Sequence, residues 1–473
     1  MTTNTNTMVG RRHDFEKMEL LQMGPSYSSI VEDDDDDAIH TEEPQKEDDL
    51  KSTIASVAGN VLEWYDFAIY GYFSDILGRK FFPPAADEST AIIESFLVFG
   101  GAFIVRPIGG AFIGIIGDKF SRKRALELSI FLMAFPTFAM GCLPTFETWG
   151  WWSVVVLVFV RLLQGLSAGG QLMSSLVFVA EGHDRKWWGW YGSWAMTSAN
   201  FGTFLGGLIG YGMRTFFSYD QLSNGNWRIP FLCGIFVSAS GFYLKHNVKD
   251  HKKIASSGME LVTDESTHTT RQLSPLQMAF SKKLRGSLFS VTASVILWSG
   301  GFYVTFVWLV ICMKDLVDPP VPNPFAVNAT SLFLTMVCMF PFAGWWSDLK
   351  GRRTIMTAGA CGMALFGPMA MKLVCMGSFW MALMAQMILG FFLCLYAGPM
   401  CAWLVESFPA ETRLTSVALG YNSAMAIAGG LSPSLATWLL KTYGPMGAGY
   451  LISTFAVIAL CGLYSAPKHD MYR

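Results

Sequence analysis

Long apolar stretches separated by short polar joins recur about twelve times between residues 54 and 466. An α-helix needs ~20 apolar residues to cross the hydrocarbon core of a bilayer, and most of these stretches have about that length. Only 15% of the residues are charged, against about 25% in an average soluble protein, so the chain cannot cover a large soluble globule with polar side chains. The pattern predicts an all-α polytopic membrane protein whose twelve transmembrane helices lie at residues 54–76, 92–117, 125–145, 152–180, 190–213, 229–245, 287–312, 327–347, 354–374, 378–405, 414–440 and 446–466.

The predicted helices form two sets of six around a polar loop, and an acidic segment precedes them. Residues 1–50 hold 14 acidic and 4 basic side chains, a net charge of −10, and their acidic run favours disorder. Since the formal charge of the whole chain is −2, residues 51–473 carry +8. We expect an acidic disordered tail, an N-terminal six-helix bundle, a central loop, a C-terminal six-helix bundle and a short tail, at residues 1–50, 51–245, 246–285, 286–466 and 467–473.

Basic side chains cluster in the joins after the second, fourth and eighth predicted helices and in the central loop. An excess of lysine and arginine marks the cytoplasmic loops of membrane proteins. We therefore expect the central loop and both termini to be cytoplasmic, and the plasma membrane to be the location.

The two halves repeat each other. Residues 117–123 read GDKFSRK after the second predicted helix, and residues 347–353 read SDLKGRR after the eighth. The fourth helix ends in Glu181 and the tenth in Glu406, each after an alanine or valine. Repeated bundles of this kind are typical of transporters that rock about a site near mid-membrane.

Six short motifs carry a resemblance to a known family. They are GNVLEWYDF at 59–67, RPIGG at 106–110, RLLQG at 161–165 with GGQ at 169–171, WRIPF at 227–231, ESFP at 406–409 and GYN at 420–422. From about residue 55 to 440 the chain resembles the major facilitator superfamily, and in particular its metabolite:proton symporters, whose members carry proline, betaine, shikimate, oxoglutarate, citrate and related compounds. The resemblance implies the major facilitator fold and proton-coupled symport of a small organic acid or zwitterion by alternating access.

The chain departs from that family pattern in three places. Gln171 stands where the symporter branch usually has glutamate, and Ser121 replaces a glycine of the loop motif. Trp188 stands seven residues after Glu181, where an arginine is expected, whereas the second half keeps Arg413 seven residues after Glu406. The change at Gln171 leaves an uncoupled facilitator open as an alternative, and a transporter-derived membrane receptor is a second one.

Two acids on the first predicted helix are the strongest candidates for proton coupling. Glu63 and Asp66 lie near mid-membrane and, at a spacing of three residues, on one helical face. Acids inside a membrane are energetically expensive, and two so close cannot both ionise easily. We predict that at least one of them carries the coupled proton; the alternative is that one acid only neutralises a buried arginine.

Arg106 and Arg161 are the two buried cations that match these acids. The planar guanidinium fits a carboxylate, so one arginine can hold an acid of the first helix while the other binds a substrate carboxylate. The sequence does not say which does which, and both can be structural. The substrate-binding candidates are Arg106, Arg161, Trp64, Tyr65, Gln171, Trp298, Tyr303, Tyr421 and Asn422, and Asn200 is a further possible lining residue.

Acidic and basic residues recur together at the ends of the second, fourth, eighth and tenth helices in both halves. Such acids pair with cations and with the positive end of a neighbouring helix. By the family resemblance we expect them to close the cytoplasmic side, although basic loops also stay inside for topological reasons alone. The gating candidates are Asp118, Arg122, Lys123, Glu181, Asp348, Arg352, Arg353, Glu406 and Arg413.

An enzyme is not expected from this sequence. All seven histidines lie in polar segments, and neither a metal-ligand spacing nor a phosphate-binding glycine loop occurs. We expect no metal, no cofactor and no nucleic acid partner. The expected partners are a small-molecule substrate, protons and the lipid bilayer, with the monomer as the functional unit.

Overall fold

The computed structural model describes residues 42–83, 88–233, 261–264, 269–272 and 274–466. The predicted acidic tail up to residue 41, most of the sixth predicted helix, most of the central loop and residues 467–473 lie outside the described residues. The chain divides into two units, Met1–Leu50 and Lys51–Arg473, and the sites below belong to the second. The predicted bundle boundaries at residues 245 and 286 remain predictions.

Helices make up the N-terminal half. They are α1 Glu42–Tyr72, α2 Ser74–Phe81, α3 Glu88–Lys119, α4 Arg122–Cys142, α5 Phe146–Trp149, α6 Trp151–Glu181, α7 Trp188–Phe216, α8 Tyr219–Ser223 and α9 Ile229–Leu232. Short 3-10 turns at Arg185–Trp187 and Asn226–Arg228 lead into α7 and α9.

The C-terminal half contains helices in which π-helical segments interrupt the α-helical hydrogen bonding. The α-helices are α10 Pro275–Ala279, α11 Arg285–Phe302, α12 Leu309–Ile311, α13 Pro324–Ser331, α14 Phe340–Lys350, α15 Arg352–Val374, α16 Phe379–Glu406, α17 Arg413–Ala424, α18 Gly430–Tyr443 and α19 Pro445–Ser465. The π segments are Tyr303–Trp308, Cys312–Leu316, Leu332–Met339 and Met425–Gly429. Within the predicted central loop, strands β1 Leu261–Asp264 and β2 Thr269–Gln272 pair antiparallel, with Leu261 opposite Gln272. The sequence patterns did not predict this hairpin.

In the part of the chain that the structure describes, nine helical segments are long and apolar enough to cross a membrane. They correspond to the second to fourth and the seventh to twelfth predicted helices. The first and fifth predicted helices are present as α1 and α7. Of the sixth, α9 covers the first residues, and residues 234–245 lie outside the described residues. Large apolar side chains on these helices are exposed, as on a surface that faces lipid: Ile104 74%, Phe131 65%, Phe289 68% and Leu365 65%.

The two loop motifs turn the chain in different ways, which accounts for the serine of the first. Gly351, between α14 and α15, has a φ of 91°, a conformation that favours glycine. Ser121, between α3 and α4, is extended, with a φ of −166°, and its hydroxyl accepts a hydrogen bond from the Arg124 amide. Ser121 therefore caps α4, and this turn does not require glycine.

Glycines bring α3 and α6 into backbone contact. A Cβ atom on Gly165 would lie 2.3 Å from the Ala102 carbonyl oxygen, and one on Gly169 would lie 2.0 Å from the Arg106 carbonyl oxygen. Small residues at such crossings allow membrane helices to approach closely. This packing fixes the position of Arg106 relative to α6.

Two further crossings join the halves. A Cβ atom on Gly114 of α3 would lie 2.6 Å from the Cα atom of Thr415 in α17. A Cβ atom on Gly189 of α7 would lie 2.4 Å from the carbonyl oxygen of Gly344 in α14. The halves therefore meet at two glycine-rich crossings with the same arrangement, as the sequence repeat requires.

Candidate functional site

Arg106, in the middle of α3, lies among aromatic rings of the N-terminal half. Its guanidinium carbon is 4.1 Å from the ring centroid of Phe103, 4.7 Å from that of Phe67 and 5.5 Å from that of Trp64. The side chain is 1% exposed. Aromatic faces attract a desolvated cation, so α1 and α3 together stabilise this buried charge.

Aromatic rings of the C-terminal half complete the surroundings of Arg106. Phe302 lies 6.5 Å from Trp64, and Tyr303 lies 5.8 Å from Phe103, between ring centroids. Trp298 packs against Phe302 with their ring centroids 5.2 Å apart and their planes inclined by 45°. We call these six residues the aromatic cage: Trp64, Phe67, Phe103, Trp298, Phe302 and Tyr303. The cage joins helices of both halves, which is where a rocking transporter holds its substrate.

Tyr421 of α17 supports the cage from behind, because its hydroxyl oxygen accepts a hydrogen bond of 3.0 Å from Trp298 Nε1. It also interacts electrostatically with Arg106, as does Tyr303. The predicted residues Arg106, Trp64, Trp298, Tyr303 and Tyr421 are therefore brought together at one place.

Polar atoms inside this region have no protein partner. Arg106 Nε and Nη2 and both carboxyl oxygens of Glu63 are buried, and none of them makes a hydrogen bond to a described residue. Arg106 and Glu63 interact electrostatically, and Asp66 adds a like charge near Glu63. Since buried polar groups are normally satisfied, these atoms are suited to a guest anion and to a proton.

Asp66 and Arg161 form a separate buried pair. Arg161 Nη1 lies 3.0 Å from Asp66 Oδ2, and both side chains are at most 1% exposed. Gln164 Nε2 donates to the same oxygen at 3.1 Å and to Thr137 Oγ1 at 2.9 Å. The guanidinium carbon of Arg161 lies 3.6 Å from the ring centroid of Tyr70. The acid of α1 is thus held by α4 and α6, within the N-terminal half.

Three predicted lining residues lie elsewhere. The Tyr65 hydroxyl donates to the Pro230 carbonyl at 3.2 Å, which places it against α9. Gln171 Oε1 accepts from Ser167 at 3.3 Å, and its Nε2 lies near Gly59 of α1. Asn422 Nδ2 donates to the Gly169 carbonyl at 2.6 Å and so connects α17 to α6.

Asn200 makes a related contact between the halves, because its Nδ2 lies 3.5 Å from the Met336 carbonyl oxygen. Neither asparagine side chain is in hydrogen-bond contact with the aromatic cage among the contacts described for them. Both connect helices across the two halves.

A charge network connects the ends of helices from both halves. It consists of Asp118, Arg122, Glu181, Asp348, Arg352, Glu406 and Arg413, and we call the side of the molecule that carries it the network face. Asp118 Oδ1 and Oδ2 accept from the amides of Leu414 and Thr415 at 3.1 and 2.8 Å, in the first turn of α17. A carboxylate is favourable there because of the helix dipole.

The second half repeats the arrangement. Asp348 Oδ1 and Oδ2 accept from the amides of Gly189 and Trp190 at 2.9 and 2.8 Å, in the first turn of α7. Each aspartate also pairs with the arginine four residues later, Arg122 or Arg352.

The two glutamates of the network form ion pairs with its arginines. Arg122 Nε lies 2.9 Å from Glu181 Oε2, and Arg352 Nη2 lies 3.2 Å from Glu406 Oε1. Arg413 Nη1 reaches Glu181 Oε1 from the other half at 2.6 Å. Arg122 Nη2 also donates to the Ala410 carbonyl at 2.7 Å. The network therefore holds this face of the two halves together.

The contacts given above do not include two predicted gating residues. Lys123 lies 3.8 Å from Glu127 on its own helix. Arg353 is half-buried next to Arg352, and no ion pair is described for it.

Sequence reasoning missed several residues of the site. Phe103 and Phe67 belong to the aromatic cage, while Thr137, Gln164 and Tyr70 surround the Asp66–Arg161 pair. Phe103 is detectable in principle, because it precedes Arg106 by one helical turn. Gln164 and Tyr70 likewise follow Arg161 and Asp66 by one helical turn, and Phe67 follows Glu63 by one turn. Thr137 is brought in by helix packing, which single-sequence spacing does not encode.

Comparison with known proteins places the chain among transporters. A family model described as "Sugar (and other) transporter" matches residues 51–465. A putative proline/betaine transporter of Staphylococcus aureus (strain COL) is 30% identical over 422 residues, which cover 86% of each chain. The proline/betaine transporter of Escherichia coli (strain K12) is 27% identical over 417 residues, covering 87% of this chain and 82% of that protein.

Solved structures resemble the chain over nearly its whole length. The proton:xylose symporter XylE bound to 6-bromo-6-deoxy-D-glucose superposes with a TM-score of 0.72 at 18% identity, covering 89% of this chain and 96% of that one. The partially occluded inward-open structure of XylE from E. coli gives a TM-score of 0.64 at 17% identity, covering 88% and 97%.

Proposed function

The chain belongs to the sugar (and other) transporter family of the major facilitator superfamily, and from this membership we propose that it is a proton-coupled symporter of a small zwitterion or organic acid. It has the major facilitator fold of a multi-pass membrane protein. The relatives compared above are named as transporters, and we propose that this chain likewise catalyses no reaction.

One observation carries the choice of substrate class. Among the described residues, Arg106 presents two buried nitrogen atoms without a hydrogen-bond partner inside the aromatic cage, and no ion pair is described for it, whereas Arg161 is paired with Asp66. A guanidinium binds a carboxylate through parallel hydrogen bonds, and aromatic faces bind a quaternary or secondary ammonium group. A zwitterion that carries both groups matches this arrangement better than an uncharged sugar does. The names of the relatives, which specify proline and betaine, point the same way.

Glu63 and Asp66 are the proposed proton carriers, and the geometry suggests how substrate and proton are coupled. Glu63 depends on Arg106 for electrostatic stabilisation, because Arg161 is committed to Asp66. A substrate carboxylate that binds Arg106 takes that stabilisation away and makes protonation of Glu63 more favourable. Substrate and proton then bind with positive cooperativity, which is what symport requires.

The charge network is the proposed gate. The charge network keeps the network face closed while substrate enters the aromatic cage from the opposite face. When the two halves rearrange, the ion pairs of the network break. We place the network face in the cytoplasm of a plasma-membrane protein because its joins are basic. The remaining gating candidates, Lys123 and Arg353, then contribute through topology, and a monomer contains every residue that the mechanism needs.

Uptake into vesicles with an imposed pH gradient tests this function. Radiolabelled proline, betaine, shikimate, oxoglutarate and citrate are offered to vesicles that contain the purified protein, with the exterior acidic. Accumulation of a zwitterion or organic acid above equilibrium, abolished by a protonophore, is expected. Equilibration without accumulation identifies the uncoupled facilitator, and binding without any transport identifies the receptor alternative.

A further inference from the structure

The charge network departs from the symmetry of the repeat at Trp188. Trp188 lies seven residues after Glu181, and Arg413 lies seven residues after Glu406. The correspondence holds in the fold, since Trp188 begins α7 and Arg413 begins α17. The same first turns bind Asp348 and Asp118. An indole therefore occupies the place that a guanidinium occupies in the other half.

The two glutamates of the network differ as a result. Glu181 pairs with Arg122 and, across the halves, with Arg413. Glu406 pairs with Arg352 alone among the ion pairs of the described residues, and its side chain is 24% exposed against 15% for Glu181. Arg185 adds an electrostatic interaction with Glu406 without reaching ion-pair distance.

Trp188 also has contacts of its own. The guanidinium carbons of Arg413 and Arg185 lie 5.4 and 5.6 Å from its ring centroid. Its Nε1 donates to the His183 carbonyl at 3.1 Å, which fixes the orientation of the ring. The side chain is 7% exposed, and a desolvated aromatic face attracts a cation more strongly than an exposed one does. Trp188 thus supports Arg413 in the position from which it reaches Glu181.

We propose that Trp188 is a positioning residue that sets how firmly the network face closes. It holds Arg413 on Glu181. Because residue 188 is not an arginine, Glu406 has no ion pair with the other half among the described residues, and Arg185 acts on it only from a longer distance. In the closed state, the contact between the halves is therefore stronger at Glu181 than at Glu406. The inference rests on the alternating-access function proposed above.

Distances between spin labels on the two halves test the proposal directly. Arg124→Cys and Lys350→Cys provide exposed attachment sites, one in each half, in a background whose native exposed cysteines are replaced. The distance distribution is measured in nanodiscs without substrate or pH gradient. The short distance reports a closed network face, and the long distance reports an open one.

Three substitutions at Trp188 separate the effect of the aromatic ring from that of an added cation on the ratio of closed to open molecules. Trp188→Leu removes the ring below Arg413, so the ratio of closed to open molecules should fall roughly two- to fivefold. Trp188→Phe keeps an aromatic face, loses the same indole hydrogen bond and should stay near the unsubstituted ratio. Trp188→Arg also lacks the ring but supplies the missing cation to Glu406, so its ratio should be about fivefold higher than that of Trp188→Leu.

A second substitution shows whether the added arginine acts through Glu406. In a Glu406→Gln background, the gain of Trp188→Arg over Trp188→Leu should disappear. The proposal is wrong if that gain persists, or if the leucine and phenylalanine variants shift the ratio equally. If Trp188→Arg does not fold, the difference in the ratio of closed to open molecules between Trp188→Leu and Trp188→Phe is enough to test the proposal. Because the distances are recorded without substrate, absence of uptake for every tested compound would count against the proposed function and not against the role of Trp188.

Discussion

Arg106 and Arg161 are both fully buried, yet within the described part of the chain only Arg161 makes a hydrogen-bonded pair with a carboxylate. A buried charge without such a partner is unfavourable unless something compensates it. The aromatic cage compensates Arg106 in part, and its two free nitrogen atoms leave room for an anion. Arg161 also has buried Nε and Nη2 atoms without a described partner, so the free nitrogen atoms do not distinguish the two arginines. The ion pair of Arg161 with Asp66 does distinguish them, and on that ground we propose Arg106 as the substrate-binding arginine.

Arg106→Lys should weaken substrate binding with little loss of protein. A lysine keeps the positive charge but presents a single ammonium group, so one of the two parallel hydrogen bonds to the carboxylate is lost. The KM for uptake should rise about tenfold or more, because a hydrogen bond to a charged group is worth about 1.5–3 kcal/mol. Arg124→Lys, at an exposed position, is the matched control and should leave KM unchanged. If Arg106→Lys has a normal KM and a normal uptake rate, Arg106 has a structural role and does not bind the substrate.

Glu63→Gln should uncouple transport from protons. Glutamine has the size of glutamate but cannot take up a proton, so uptake should no longer rise as the external pH falls, and accumulation should cease. Exchange of labelled for unlabelled substrate should continue, because it needs no net proton movement. Glu147→Gln, whose side chain is 78% exposed in the parent, is the control. Uptake by Glu63→Gln with an intact pH dependence would show that Glu63 is not a coupled group.

Asp66→Asn should give a different defect, because it leaves Arg161 as an uncompensated buried charge. Loss of one partner of a buried ion pair costs about 3–5 kcal/mol. We expect both transport and thermal stability to fall, whereas Glu63→Gln affects transport alone. Thermal unfolding of the two purified variants distinguishes these outcomes, and equal stability would place Asp66 outside the ion pair.

At this scale the sequence identified the costly residues but not their partners. Glu63, Asp66, Arg106 and Arg161 are recognisable because charges are rare inside apolar helices. That Asp66 pairs with Arg161 depends on how α1 packs against α6, which is a three-dimensional fact. Tyr65 contacts Pro230 for the same reason, although it lies next to Trp64 of the cage in sequence.

At the scale of the elements, the crossing of α3 and α6 determines where Arg106 lies. Gly169→Ala would place a methyl group 2.0 Å from the Arg106 carbonyl oxygen, so the helices must separate. We expect a loss of about 1–3 kcal/mol in stability and a severe loss of transport. Unfolding is followed with a thiol-reactive fluorophore, which labels the buried Cys394 and Cys401 as they become exposed.

Gly212→Ala in α7 is the matched control for this prediction, because no atom of another described helix lies within 4 Å of the added methyl group. Both substitutions gain the same helix propensity, so the difference between them isolates the packing of α3 on α6. Equal stability of the two variants would contradict the proposed role of the crossing.

Hydropathy predicts the membrane segments better than it predicts the helices. Predicted helices at 354–374 and 378–405 agree closely with Arg352–Val374 and Phe379–Glu406. The first helix instead begins at Glu42, well before the predicted start at 54, because a helix can continue into water where hydropathy gives no signal. The π segments, such as Tyr303–Trp308 beside the cage, arise where packing shifts the backbone hydrogen bonds, and propensity does not reveal them.

At the scale of the whole molecule, the sequence repeat explains why two equivalent sets of contacts close the network face. Asp118 binds the first turn of α17 and Asp348 binds the first turn of α7, so each half contributes one acid and one helix terminus. The repeated acid and base residues were visible in the sequence. Their attachment to helix termini of the opposite half was not, since it depends on how the halves meet.

Asp118→Asn combined with Asp348→Asn should therefore shift the whole molecule toward an open network face. An asparagine keeps one acceptor oxygen but loses the charge and the second acceptor, so each helix terminus loses a charged hydrogen bond worth about 1.5–3 kcal/mol. The spin-label distance between positions 124 and 350 should lengthen, and uptake should slow at least about tenfold, because fewer molecules expose the cage to the opposite side. Asp315→Asn, which removes an exposed ion pair with Lys314, should change neither quantity. If the double variant keeps the closed distance and the normal uptake rate, the network does not hold the halves together, and closure must come from the glycine crossings.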